Sequence, residues 1–408
     1  MPSFPRSLTI GAVVPALVIL ALLTAVALQA GETGPWNVTA LQAPPVAEWG
    51  EVQGLAQQVT YAGEPWEGKP TRVFAYYAQP ATGTKPFPGV VLVHGGGGKA
   101  FKEWAEHWAQ HGYAALAMDL SGNGPAGRLA DGGPDQGDNT KFRDFAGGEA
   151  GGKPAYAVTD MWTYHAVAAV IRGHSLLLAR PEVDAGRTAL TGISWGGYLT
   201  CIVAGLDHRF KAAVPVYGCG FLYENSYWVE PQFARMDEAR RARWVQAFDP
   251  SRYLGAATCP MLFVNGTNDF AYPLDSYRKS YALVGSAKNL SVKINLKHGH
   301  IWTMLEVDTF IDSVLTGGKP LPVFAAPMIN GDHFTATLTT TVAVAKVELC
   351  WTSDVGPWQK RTWKTTPAEL TAGVASATLP AERPFTGYLL ATDERGLCVS
   401  TTHVEVDR

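Results

Sequence analysis

The sequence predicts an α/β fold, a mostly parallel sheet with helices on both faces, followed by a small all-β domain. Three observations lead there. Strand-like and helical stretches alternate from about residue 52 to 318. The segment Thr191-Gly192-Ile193-Ser194-Trp195-Gly196-Gly197-Tyr198 places a serine between a buried strand and a helix. After Pro320 helical periodicity disappears, and short stretches rich in β-branched and aromatic residues take over.

The first residues read as an export signal. Arg6 gives a small positive start, Leu8 to Leu28 is uncharged and rich in Leu, Val and Ala, and Leu28-Gln29-Ala30 offers a small-residue cleavage site. The run of roughly 20 apolar residues would also span a bilayer if left uncut. Residues 1–30 are therefore a signal peptide or a membrane anchor, with cleavage preferred and an exported protein, periplasmic or secreted, expected. A membrane partner follows only if the segment stays uncleaved. Residues 31–50, with Pro35, Pro44 and Pro45, read as a linker.

The α/β part follows as residues 51–318. Gln57–Tyr61 and Thr71–Tyr77 suit early strands. Gly89–Val93 is an apolar run bounded by Pro88 and Gly95, as a buried parallel strand should be. Phe101–Gln110 is helical and Tyr113–Leu120 is a strand. Residues 121–155 form a long Gly-, Asp- and Pro-rich loop, read as a mobile active-site loop; Asp131, Asp135 and Asp138 do not match an EF-hand spacing. Val158–Ala179 is a long helix, Thr188–Ile193 leads into Ser194, and Gly196–Ala204 starts the next helix. Ala212–Tyr217, Met261–Asn265 and Leu290–Leu296 complete the strands, with helices at Tyr272–Val284 and Ile301–Leu315. Residues about 219–255 sit where a cap is expected. Phe334–Thr339, Ala343–Trp351, Gln359–Lys364, Val374–Leu379, Tyr388–Thr392 and Leu397–Val406 would form an Ig-like β-sandwich over residues 321–408.

Composition narrows the function. The chain has 408 residues, 47% of them hydrophobic, so it can bury a large core. A net charge of -3 leaves no basic surplus for nucleic acid. Of the five cysteines none lies in a C-x-x-C pair, so no zinc or redox motif is indicated. Cys350 and Cys398 are the best pair for a disulfide after export; five buried thiols are the alternative.

Ser194 lies in G-x-S-x-G at a strand-to-helix turn, where a nucleophile is held strained and exposed. A serine hydroxyl attacks a carbonyl only with a base, an orienting acid and donors for the oxyanion. The acid expected is Asp269, just past the run Met261-Leu262-Phe263-Val264 and in a Gly-containing turn. A plain turn aspartate would look the same. The base comes from Lys297-His298-Gly299-His300. His300 is preferred because it sits later in the loop and Gly299 frees the backbone; His298 is read as ending the strand and supporting the loop. His94-Gly95-Gly96-Gly97-Gly98 follows a strand and should expose backbone N–H groups. Gly96, Gly97 and Trp195 are the oxyanion donors expected. No dinucleotide or Walker pattern accompanies these glycines, so neither a cofactor nor a metal is expected.

These segments, HGGGG, GISWGGY, NGTNDFAYP and HGH, occur in the order found in the α/β-hydrolase superfamily, which residues 50–318 resemble. Within it the chain is most similar to the dienelactone-hydrolase and acetyl-xylan-esterase-like branch. Gly-Gly-Tyr after the serine also resembles prolyl-oligopeptidase catalytic domains, but too few residues precede the HGGGG strand for their propeller. The resemblance implies a serine carboxylesterase acting on a small-molecule or carbohydrate ester. A peptidase for short peptides and a non-catalytic carbohydrate-binding protein are the alternatives. Tyr217, Tyr223 and Trp228 are the substrate-binding candidates, since aromatic faces stack on sugar rings or enclose an acyl group. Packing of the cap on the core is the competing role.

Overall fold

The computed structural model describes Met1 and residues 34–145, 156–302 and 304–407. The expected leader at residues 1–30 lies outside these apart from Met1. Among the described residues no helix is long and apolar enough to cross a membrane. Residues 33–408 form one compact unit.

Nine strands build the first sheet: β1 (Ala47–Gln53), β2 (Ala56–Ala62), β3 (Arg72–Ala78), β4 (Phe87–Val93), β5 (Ala114–Met118), β6 (Val183–Ile193), β7 (Ala212–Val216), β8 (Met261–Gly266) and β9 (Lys288–Lys293). Their order is β1-β2-β3-β5-β4-β6-β7-β8-β9. β1, β2 and β3 run antiparallel into β5, and from β5 to β9 every pair is parallel. Every residue of β4, β5, β7 and β8 is buried, because helices cover both faces. That is why these strands read as continuous apolar runs without alternation.

Helices α1 (Lys102–Gln110), α2 (Trp162–Leu178), α3 (Trp195–Ala204), α4 (Glu238–Phe248), α5 (Leu274–Leu283) and α6 (Leu305–Leu315) accompany the sheet. α3 is buried along its whole length, which accounts for its lack of a polar face. The segment read as a linker differs from expectation. Trp36 is buried and stacks on Tyr164, its Nε1 donating to the Tyr164 carbonyl at 2.9 Å, so residues 34–50 pack onto the α/β body. The Asp-rich loop carries a two-stranded ribbon at Asn123–Gly124 and Gly127–Arg128 and a short helix at Asp138–Lys141. Its aspartates do not converge. Asp131 pairs with Arg72, Asp135 accepts from the Gly137 N–H, and Asp138 faces Lys141.

The C-terminal strands are β10 (Val323–Phe324), β11 (Met328–Asn330), β12 (His333–Thr339), β13 (Val344–Thr352), β14 (Lys364–Thr371), β15 (Val374–Thr378), β16 (Phe385–Asp393), β17 (Cys398–Ser400) and β18 (Val404–Val406). They run β10-β12-β15-β14-β13-β16-β17, with β11 beside β12 and β18 beside β16, all antiparallel. This is the small all-β sandwich expected. Gln359–Lys364 is not a strand: Trp358–Lys360 forms a 3₁₀ turn and β14 begins at Lys364. Cys350 and Cys398 are free thiols, as are Cys201, Cys219 and Cys259. β13 and β17 flank β16 on opposite sides, roughly 9–10 Å apart, where a disulfide needs Cα atoms within about 7 Å.

The two parts share one core and meet along the β9 edge. Asn289 Nδ2 donates to the Pro322 carbonyl at 2.8 Å, and the Val292 N–H donates to Ser400 Oγ at 3.0 Å. Buried Glu306 accepts from Lys293 Nζ and, at 2.8 Å, from the Cys398 N–H. The charge is thus paired and hydrogen-bonded, as a buried carboxylate must be.

Candidate active site

Ser194 connects β6 to α3 with φ 60° and ψ -118°, a conformation that costs a non-glycine residue about 1–3 kcal/mol. The surroundings hold it there. Its N–H donates to the Val216 carbonyl at 2.9 Å, and its carbonyl accepts from the Tyr198 N–H at 2.9 Å. A Cβ on Gly196 would lie 2.1 Å from the Val93 carbonyl oxygen, and one on Gly192 would lie 2.4 Å from that of Gly196. No side chain fits either place, so the motif's glycines are a packing requirement of the turn.

Asp269 follows β8 and is buried. Its Oδ1 accepts from the N–H groups of Ala271 at 2.9 Å and Tyr272 at 2.8 Å. Its Oδ2 accepts from His298 Nδ1 at 2.6 Å. One carboxylate thus closes its own turn and holds His298. The histidine on Asp269 is His298, not His300 as expected. β9 ends at Lys293 rather than Leu296, and Asn295 reverses the chain with φ 53°. His298 consequently lies in the loop and reaches the carboxylate, while His300 is carried past it.

His300 turns toward the glycine loop. Its Nε2 accepts the Gly95 N–H at 3.0 Å, and its ring packs against Phe101 and Trp104. Burial lowers its pKa, the nearby His298 adding in the same direction, so the ring stays neutral. The bond pattern distinguishes the rings. Nε2 of His300 accepts from Gly95, whereas His298 donates from Nδ1 to Asp269. The ring of His298 packs 4.5 Å from that of Tyr217, the residue after Val216, whose carbonyl holds Ser194. Ser194 and His300 both border Gly95, whose Cβ would meet Ser194 Cβ at 2.8 Å and His300 Nε2 at 3.1 Å.

The glycine loop is only partly as expected. Gly97 has φ 68° and gives its N–H to Gln136 Oε1 at 3.0 Å, so it is not a free donor. Gly96 lies against the residue after the serine, where its Cβ would be 3.0 Å from Trp195 Cδ1. His94 is structural. Its Nε2 accepts the Leu120 N–H at 2.8 Å, so Nδ1 carries the proton given to the Gly95 carbonyl at 2.7 Å. Burial pushes its pKa down.

The aromatic candidates sort by exposure. Tyr217 is fully buried, its hydroxyl donating to the Gly299 carbonyl at 3.2 Å, so it supports the histidine loop from beneath. Trp228 is buried against Trp195 and Tyr272. Tyr223 is partly buried against the core. These three are packing residues. Tyr227 and Phe270 are instead exposed, 57% and 51% accessible, with centroids 5.8 Å apart. Phe270 also meets His298 edge-on at 4.7 Å. The sequence reading missed Phe270, although its place next to Asp269 was a usable signal. It also missed Lys141, which is buried with Nζ 4.5 Å from the Trp195 ring centroid and whose pKa burial lowers.

The all-β part touches the acid turn directly. Asn268 Nδ2 donates to the carbonyls of Arg361 at 2.7 Å and of Trp358 and Gln359 at 3.3 Å each. Gln359 Nε2 reaches the Phe270 carbonyl at 3.4 Å. Thr267 Oγ1 joins Asn268 Oδ1 to the Asn295 N–H, linking this turn to the start of the histidine loop.

A serine at a strained strand-to-helix turn, an Asp–His pair after later strands and this sheet order give the chain the α/β-hydrolase fold. It resembles the acetyl xylan esterases of that superfamily. The family model described as acetyl xylan esterase (AXE1) matches residues 53–244, and that of the PhoPQ-activated pathogenicity-related protein matches residues 200–356. The acetyl esterase Axe7A of Xylanibacter ruminicola is 25% identical over 252 residues, 58% of this chain and 54% of that protein. The chain thus spans about half the length of that curated relative. Among solved structures, an acetyl xylan esterase from Paenibacillus sp. R4 superposes with TM-score 0.55 at 24% identity, covering 68% of this chain and 92% of that one. Acetyl xylan esterase 1 from Thermoanaerobacterium sp. JW/SL YS485 does so with TM-score 0.51 at 17% identity, covering 72% and 98%. At these identities the structures establish the fold alone.

Proposed function

We propose that this chain is an exported serine carboxylic-ester hydrolase that removes acetyl groups from carbohydrate esters. The observation that carries the reading is the Asp269–His298 pair, whose imidazole packs on Tyr217, next in the chain to the Val216 carbonyl that holds the strained Ser194 turn. His298 Nε2 takes the Ser194 Oγ proton as Oγ bonds to the ester carbonyl carbon. The N–H groups of Gly96 and Trp195 face the oxyanion that forms. His298 then returns the proton to the departing alcohol, leaving an acetyl-enzyme. Water, deprotonated by the same nitrogen, releases acetate and restores Ser194. The match to the acetyl xylan esterase family supports the acetyl substrate. Tyr227 and Phe270 offer exposed faces to a sugar ring. Export rests on the apolar N-terminal run.

Fluorophosphonate labelling of Ser194, with turnover of p-nitrophenyl esters, acetylated xylan and aminoacyl amides, tests the reading. Labelling with acetate release from xylan is expected. Ser194→Ala should lower turnover on the order of a thousandfold or more while keeping the fold. Faster cleavage of aminoacyl amides than esters would assign a peptidase, and an unlabelled, inert protein would leave only a binding role.

A further inference from the structure

Outside the site, His107, His111 and Asp308 bring one donor atom each within 4.8 Å of one another. We propose that they bind a divalent transition ion of zinc type, tying α1 to α6. His107 lies in the last turn of α1 and His111 is its C-cap four residues on, a spacing that can aim two imidazoles at a common ion. Asp308, on α6, completes a nitrogen–nitrogen–oxygen set suited to zinc. His107 Nε2 and Asp308 Oδ2 are 2.8 Å apart, and the two histidine ring centroids are 4.2 Å apart. Around an ion bound at about 2.0–2.1 Å, donors stand roughly 3.3 Å apart, so small side-chain rotations close the set.

The outer groups are already placed. His111 Nδ1 donates to the His107 carbonyl at 2.7 Å, which fixes the tautomer and leaves Nε2 as the ligand atom. Asp308 Oδ1 accepts from Trp302 Nε1 at 3.0 Å, so the ion would take Oδ2 and displace the proton that Oδ2 now shares with His107 Nε2 at 2.8 Å. Three protein ligands leave a further position for water. The ion has no part in the ester chemistry. Its link to the site is Trp302, which follows His300 by two residues and packs on Trp104, itself against the His300 ring. Sequence reading had no access to the site, because Asp308 lies 201 residues from His107.

The test is titration of the EDTA-treated full chain with Zn²⁺ by calorimetry, and with Co²⁺ by its visible d–d absorption. One equivalent of each ion should bind with a rise in the melting midpoint. His111→Ala, at an exposed position, should keep the circular dichroism spectrum and weaken binding at least about tenfold. Asp308→Asn should do likewise. Absence of saturable binding overturns the proposal. So does unchanged affinity in a folded His111→Ala chain, which would place the ion elsewhere, for instance on His298 and His300.

Discussion

Replacing each histidine of the HGH loop separately tests the pairing on which the mechanism rests. His298→Ala removes the 2.6 Å bond to Asp269 Oδ2, a partly buried bond to a charged group worth about 1.5–3 kcal/mol. Asp269 keeps its two backbone donors, so the turn survives and the protein should fold with its stability lowered by about that amount. Turnover should fall on the order of ten thousandfold or more, because no base remains for the Ser194 proton. His300→Ala instead leaves the Gly95 N–H without its acceptor, a loss of about 1–3 kcal/mol. If all of that falls on the transition state, activity drops by roughly 5- to 150-fold, at about 1.4 kcal/mol per factor of ten. Pre-steady-state p-nitrophenyl acetate hydrolysis gives the acylation burst, and urea unfolding gives the stability. A burst retained in His298→Ala and abolished in His300→Ala would refute the assignment and return the base to His300.

Three further perturbations follow from the packing. Asn268→Ala cuts the tie between the acid turn and the Trp358–Arg361 carbonyls. A displacement of Asp269 near 1 Å should lower turnover by about a hundredfold on a small soluble ester. Ending the chain near Gly318 should do the same, and full activity of either protein on that ester would show that the β domain does not position the site. Gly196→Ala meets the Val93 carbonyl and should cost at least about 3 kcal/mol, whereas Gly97→Ala, with φ 68° and open space, should cost only about 1–2 kcal/mol. Similar urea midpoints for the two would contradict the close approach. Burial pushes the His165 pKa from 6.5 down to about 4. The unfolded chain then takes up the proton first as pH falls. Stability from this group is complete above pH 6.5 and lost toward pH 4, about 3 kcal/mol in all. His94 and His300 act in the same direction. Unfolding midpoints at pH 7 and 4.5 measure the loss, and an equal loss in His165→Asn would remove His165 from the account.

By itself the sequence determined the sheet, the Ser194 turn and the place of Asp269 in a turn after a buried strand. Each is written in neighbouring residues: Val90 to Val93 is apolar because both sheet faces are covered, and Gly192 and Gly196 flank the serine because no Cβ fits beside it. A buried parallel strand and a tight turn impose their demands within a few positions of the chain. The choice between His298 and His300 was not local. It depends on where β9 loses its partner, on the left-handed Asn295 and on which acceptor the Gly95 N–H faces. Aromatic residues near 220 likewise carried no mark of exposure, since Trp228 is covered by Trp195 while Tyr227 stands open. Apolar rings have the same composition whether a neighbouring element covers them or not. Only the tertiary structure decided that Asn268 would be held by the all-β part, and that His107 of α1 and His111 at its C-cap would meet an aspartate of α6. Contacts between distant segments leave no periodicity in either segment, so they become legible only when the chain is folded.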